Sequence, residues 1–120
     1  MTLKSQKYRN IIDSLVGICK TGQGKIGSNR IRSGIWNSNA KSDSDDLSDE
    51  YHMNQLLARL SEGDRSVLAR MLENEVIVGI FETLKVLEEY EIDPFDTGYE
   101  GSPYHDFIGR LSGDWEWPEK

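Results

Sequence analysis

EGDRSVLARMLENEVIVGIFETLKVLEE, residues 62–89, decides what kind of fold this chain adopts. Val67, Leu68, Met71 and Leu72 open an apolar stripe at helical spacing, and a Leu-rich helical pattern resumes beyond Phe81. Between them, Val76 to Phe81 is apolar on every side, as expected of a helix passing through the middle of a core. The β-branched residues there also suit a buried strand, but no turn signal breaks the helical pattern on either side, so helix is the stronger reading. One helix over 62–89 would be roughly 42 Å long. A compact chain of this size is only about 35 Å across, so the helix is expected to bend, break or protrude.

Toward the N-terminus, Ser61 stands three residues before Asp64, much like a capping box. The preceding SDDLSDEYHMNQLLARL places Met53, Leu56, Leu57 and Leu60 on one face of a helix over 48–60, with Ser48 as its N-cap and a tight turn at 61–63. Tyr8, Ile11, Ile12, Leu15, Val16, Ile18 and Cys19 define an amphipathic helix over 4–20, which Thr2 or Ser5 can cap and Gly22 can end. Beyond Tyr90, EIDPFDTGYEGSP is dense in turn formers and reads as a packed loop or short hairpin. Ser102 and Pro103 then supply a cap and a first helical residue, and Tyr104, Phe107, Ile108 and Leu111 give a face to a last helix over 103–111 that stops by Gly113. These elements predict a mainly α fold, a small helical bundle around a long central helix, as a single domain over 1–120.

Residues 22–46 are expected to be a flexible loop rich in Gly, Ser, Asn and Asp. Its opening TGQGKIG carries Gly22, Gly24 and Gly27 in the spacing of a dinucleotide-binding fingerprint. That fingerprint requires a strand before it and a helix after it, because the helix N-terminus receives the pyrophosphate. Here it follows a helix and precedes a stretch read as non-helical, so the glycines are expected to end a helix and loosen a loop. Asp43, Asp45 and Asp46 superficially resemble calcium ligands, but the glycine and terminal Glu of a calcium loop are out of register.

Charge is distributed unevenly. Residues 1–41 carry eight Lys or Arg and one acid, Asp13, whereas residues 42–120 carry six Lys or Arg and twenty acids. An acidic body repels nucleic acid and suits a basic protein partner. Lys25, Arg30 and Arg32 beside Trp36 are too few to make a single-stranded nucleic-acid platform. Cys19 is alone, so no intramolecular disulfide forms, and MTLKSQKYRN has neither the apolar stretch nor the cleavage site of a secretory signal. With no apolar run near membrane-spanning length, a cytoplasmic location is expected.

His52 and His105 are the only histidines, and no paired His spacing or HExxH supports a metal or general-base site. Cys19 lies on the apolar face of a helix, as a small core residue would, and no Ser is associated with a base. Neither a cofactor, a metal nor a catalytic residue is indicated. The richest feature is aromatic and acidic, in Tyr104, His105, Asp106, Asp114, Trp115, Glu116 and Trp117, preceded by Phe95, Asp96, Tyr99 and Glu100. Rings supply area that can be desolvated and acids steer encounter, which suits a basic partner; the same rings can instead complete the core.

ARLSEGDRSVLARMLENEVIVGIFETLKVLEEY, followed by Pro94, Phe95 and Thr97 and then by YHDFIGRLSGDWEWP, resembles a family of small, acidic, uncharacterised bacterial proteins. These show a helical pair, a short turn-rich segment and a Tyr-Asp-aromatic stretch ending in Gly-Asp and Trp-Pro. The likeness covers residues 47–118 and a helix like 5–20, while the loop over 22–46 is particular to this chain. It implies a fold and a bacterial source and carries over no catalytic residue. The expected function is therefore a non-enzymatic protein-binding module, in its specific form an immunity-type protein that neutralises a basic toxin domain. The rival readings are a small-molecule-binding protein or enzyme with a pocket lined by Tyr104, His105 and Asp106, and a homodimer formed through Ile80, Phe81 and Leu84.

Overall fold

The computed structural model describes residues 5–43, 46–99 and 101–118. Five α-helices follow in order: α1 Gln6–Lys20, α2 Ile26–Ser33, α3 Ser48–Arg59, α4 Glu62–Glu89 and α5 Pro103–Ser112, with a 3-10 turn at Gln23–Lys25. No strand occurs among the described residues. The fold is all-helical and built on α4, which runs without a break. Chain contacts group into two compact units, Met1–Gly22 with Val76–Lys120 and Gln23–Glu75, so each half of α4 serves a different unit.

In the first unit, Ser5 caps α1 by accepting a hydrogen bond from the Tyr8 backbone N–H at 3.1 Å; the alternative cap, Thr2, lies outside the described residues. Tyr8, Ile12, Val16 and Cys19 recur every three or four residues and so share one face of α1, which is buried against Leu84 of α4 and Phe107 of α5. Removing an Ile or Leu side chain of this kind from water is worth about 1.5–3 kcal/mol. Leu84 is buried in this core, and Phe81 stacks edge-on against Tyr104 with ring centroids 4.8 Å apart, while Ile80 and Phe81 remain half-buried. The stretch from Val76 to Phe81 is also not buried on all sides. Val76, Ile77 and Ile80 pack on the core, while Val78 is 40 % exposed, because α1 and α5 cover only one flank of the helix.

After α4 the chain takes the packed-loop form of the two readings offered for the turn-rich segment. Glu91 N–H bonds Glu88 C=O and Ile92 N–H bonds Leu87 C=O, with Glu91 in the left-handed region at φ 54°. That pattern closes a helix and redirects the chain. A further turn from Ile92 C=O to Phe95 N–H follows at once, and no strand pairing occurs among the described residues up to α5. Glu100 lies outside the described residues.

The second unit has a smaller core of Ile31, Leu57 and Ala69, surrounded by Trp36, Leu60, Leu68 and Leu72. Its main departure from expectation is α2, which occupies residues read as loop. Gly27, Ser28 and Asn29 are weak helix formers, so local propensity does not announce this helix; tertiary contacts hold it. A Cβ on Gly27 would lie 2.9 Å from Leu72 Cδ2 and 3.3 Å from the Trp36 ring, so glycine is what lets α2 reach α4. Glu73 of α4 accepts from Arg32 Nη1 at 2.8 Å and from Lys25 Nζ at 3.0 Å, tying both ends of the helix down. The segment after α2 is fixed too. Asn54 Oδ1 accepts from the backbone N–H groups of Trp36 and Asn37, and its Nδ2 donates to the carbonyls of Asn37 and Ala40.

Two caps differ in outcome. Ser61 Oγ accepts from Asp64 N–H at 3.0 Å at the start of α4, as its spacing predicts. Ser48 is instead the first residue of α3, with Leu47 in the cap position and no side-chain cap bond. Of the aspartates resembling calcium ligands, Asp45 lies outside the described residues, and Asp43 and Asp46 are exposed.

Arg32, followed by its other partners, pulls the Glu73 carboxyl down to about 2. A carboxyl lowered on folding contributes stability above its unfolded value of 4.5 that is lost as pH falls through 2. Glu73→Gln should therefore lower stability at pH 7 by about 1 kcal/mol. Denaturant melts should show the gap between wild type and variant closing between pH 4.5 and 2.

Candidate functional site

The aromatic and acidic residues singled out in the sequence come from α5 and the tail behind it, in the first unit. Their arrangement starts with Asp106, which is completely buried. A buried carboxyl needs donors, and its Oδ2 accepts from the Tyr8 hydroxyl at 2.7 Å and from the Tyr99 backbone N–H at 2.8 Å. Burial first, and then the bond to Asp106, pushes the Tyr8 phenol far above its ordinary value. Asp106 sits in the first turn of α5, where the helix dipole favours negative charge. Space for this contact is made by Gly98, since a Cβ there would lie 2.5 Å from the Ser102 carbonyl carbon and 2.7 Å from Asp106 Oδ2.

Tyr99 lies beside α1. Arg9 Nη2 donates to the Tyr99 hydroxyl at 2.9 Å, and its guanidinium carbon lies 5.5 Å from the Tyr99 ring centroid. Asp13, also from α1, fixes the tail with both oxygens: Oδ1 accepts from Arg110 Nε and Oδ2 from the Trp117 indole N–H, each at 2.8 Å. Trp117 then packs on Tyr99 at 5.4 Å and on Trp115 at 5.0 Å between centroids, and Arg110 lies over the Trp117 ring at 5.4 Å. Arg110 Nη1 donates to the Trp115 carbonyl at 3.3 Å. Trp115 is thereby held from behind.

On the outer side of Trp115 is an open cleft of about 340 Å³ lined by His105, Ile108, Gly109, Ser112, Asp114 and Trp115. The sequence-derived candidates thus separate into groups. His105, Asp114 and Trp115 meet at the cleft; Glu116 is exposed on the tail; Tyr104 turns to Phe81; Trp117 turns to Asp13; and Asp106 faces inward. Tyr104, His105 and Asp106 therefore do not line one pocket, because successive helical residues point about 100° apart. Sequence reasoning identified Tyr8 as a core position and missed its hydroxyl's role, and it missed Arg9 and Asp13 altogether. Nothing in an amphipathic pattern marks which polar neighbour turns inward. Among the described residues no group of three or more His, Cys, Asp or Glu is placed to hold a metal ion, and no helix is long and apolar enough to cross a membrane.

Residues 1–119 match the family of unknown function DUF6547. The chain belongs to that family. No curated protein and no solved structure matches it. For this DUF6547 chain, chemistry must accordingly be argued from the cleft itself: one imidazole, one exposed carboxyl, one indole face and the Ser112 hydroxyl, which donates to the Gly109 carbonyl at 3.1 Å. Such a set can hold a ligand by ring contact and charge.

Two substitutions test the support under the cleft. Tyr8→Phe leaves Asp106 one donor short and should cost about 1–3 kcal/mol. Because a phenol raised on folding contributes stability below its unfolded value of 10 that is lost as pH rises, wild type should lose stability above pH 10 more steeply than Y8F. Gly98→Ala should displace Tyr99 from Asp106, seen as a lower melting temperature and altered near-ultraviolet dichroism.

Proposed function

We propose that this chain is a non-enzymatic, cytoplasmic bacterial module that binds a basic protein, in the manner of an immunity protein that neutralises a basic toxin domain. The contact surface is the cleft formed by His105, Asp114 and Trp115 with Glu116 beside it, and Tyr104, Asp106 and Trp117 belong to its support. The observation that carries this reading is an indole face fixed from behind while carboxylates flank it. Trp115 packs on Trp117, and its carbonyl is bonded by Arg110, so its presentation costs little ordering on binding. Asp114 and Glu116 are exposed. Of the nearby cations, Arg110 is offset by its ion pair with Asp13, and Arg9 is buried against Tyr99 rather than presented at the cleft. An anchored aromatic ringed by acids gives a binding centre together with electrostatic steering.

Capture from a lysate of the source organism, washed at rising salt, should retain a basic protein that dissociates as salt screens the contact. The double variant Asp114→Lys, Glu116→Lys should stay folded and lose that protein. A folded double variant that retains it, or the absence of any basic partner, would overturn the reading.

A further inference from the structure

Beyond this protein-binding reading, and independent of it, the second unit contains a site of different chemistry. Ile31, Trp36, Met53, Leu56, Leu68 and Leu72 line a cavity of about 230 Å³ whose wall is wholly apolar. An apolar cavity of about 150 Å³ already accepts benzene, so this one has room for a short alkyl chain or a substituted ring. Its mouth is open, since Met53 and Leu56 are each 44 % exposed although they belong to the apolar face of α3. Trp36 also lines a second, polar pocket with Arg30, Ser33, Asn37 and Ser38. One indole is therefore a shared wall of an apolar cavity and a polar one.

Arg30 gives that junction its sign. Its guanidinium lies over the Trp36 ring, 5.6 Å from the centroid, and among the described residues it makes no ion pair. Lys25 and Arg32, at the two ends of α2, are both occupied by Glu73; Arg65, which lies against Gly34, makes no ion pair among the described residues and does not line the polar pocket. Glu50, an acid beside the polar pocket, accepts from Asn37 Nδ2. Arg30 is thus the cation that lines the polar pocket, unpaired and beside a wall that offers an apolar tail no hydrogen bond. We infer that the second unit binds a small amphipathic carboxylate, its apolar tail in the cavity of α2, α3 and α4 and its carboxylate on Arg30 across Trp36. An arginine held over an indole suits a planar carboxylate, which it can meet with two parallel N–H bonds.

The test uses the full chain and straight-chain carboxylates of six, eight and ten carbons, each paired with the alcohol of the same length, by calorimetry below the micellar range. Each added methylene should tighten binding by about fourfold until the cavity is filled. Each acid should bind about fivefold tighter than its alcohol. Arg30→Gln, an exposed substitution compatible with folding, should remove the preference for the acid and leave alcohol affinity unchanged. The indole N–H resonance of Trp36, assigned with Trp36→Phe, should shift on titration while those of Trp115 and Trp117 stay in place. No saturable binding of any member, equal affinity for acid and alcohol, an unchanged preference in R30Q, or shifts confined to Trp115 and Trp117 would each overturn the assignment.

Discussion

The contact between Tyr8 and Asp106 governs the first unit. A carboxyl with no access to water is tolerated only where the fold brings donors to it. Those donors come from α1 and from the turn-rich segment, at positions 98 and 7 residues away in sequence. Satisfying one acid therefore fixes three pieces of chain at once. The apolar core of Ile12, Val16, Leu84 and Phe107 supplies most of the driving force. It does not by itself decide how the segment after α4 returns to α5; directional bonds to Asp106 do.

The second unit solves the same problem with less apolar surface. Its buried core is three residues, and its helices are short apart from the shared α4. Asn54 makes four hydrogen bonds to the backbone of residues 36–40, and Glu73 draws both Lys25 and Arg32 to α4. The basic character of the leader, so evident in the sequence, is consequently reduced at the surface. Arg30, between Lys25 and Arg32 on α2, has no ion pair among the described residues and stands against Trp36.

The candidate surface on α5 was legible as composition and not as geometry. A run of aromatics and acids announces either a core edge or a contact surface, and both outcomes occur within one stretch: Trp117 and Asp106 turn inward, Asp114 and Glu116 outward, and Trp115 lies between. Adjacent residues divide in this way because helical rotation and the course of the tail assign their directions. The partners that settle the matter, Tyr8, Arg9 and Asp13, lie some hundred residues earlier. The cavity beside Trp36 was less legible still, since its wall draws on α2, a helix with almost no local signal.

What the sequence by itself determined was the type of element wherever apolar residues repeat at helical period over three turns or more. α1, α3, α4 and α5 follow from that, as do the cap at Ser61 and the stop after Ser112, while the choice of Ser5 over Thr2 as the α1 cap was left open. Periodicity is a property of a segment and its solvent, so it can be read locally. Tertiary structure alone decided that Gly27 opens a helix instead of a loop, that α4 shares its halves between two units, and that Asp106 is an internal staple instead of a surface charge. Each of those outcomes depends on which distant group arrives at contact distance, whether Leu72, Glu73 or Tyr8, and no local pattern encodes that meeting.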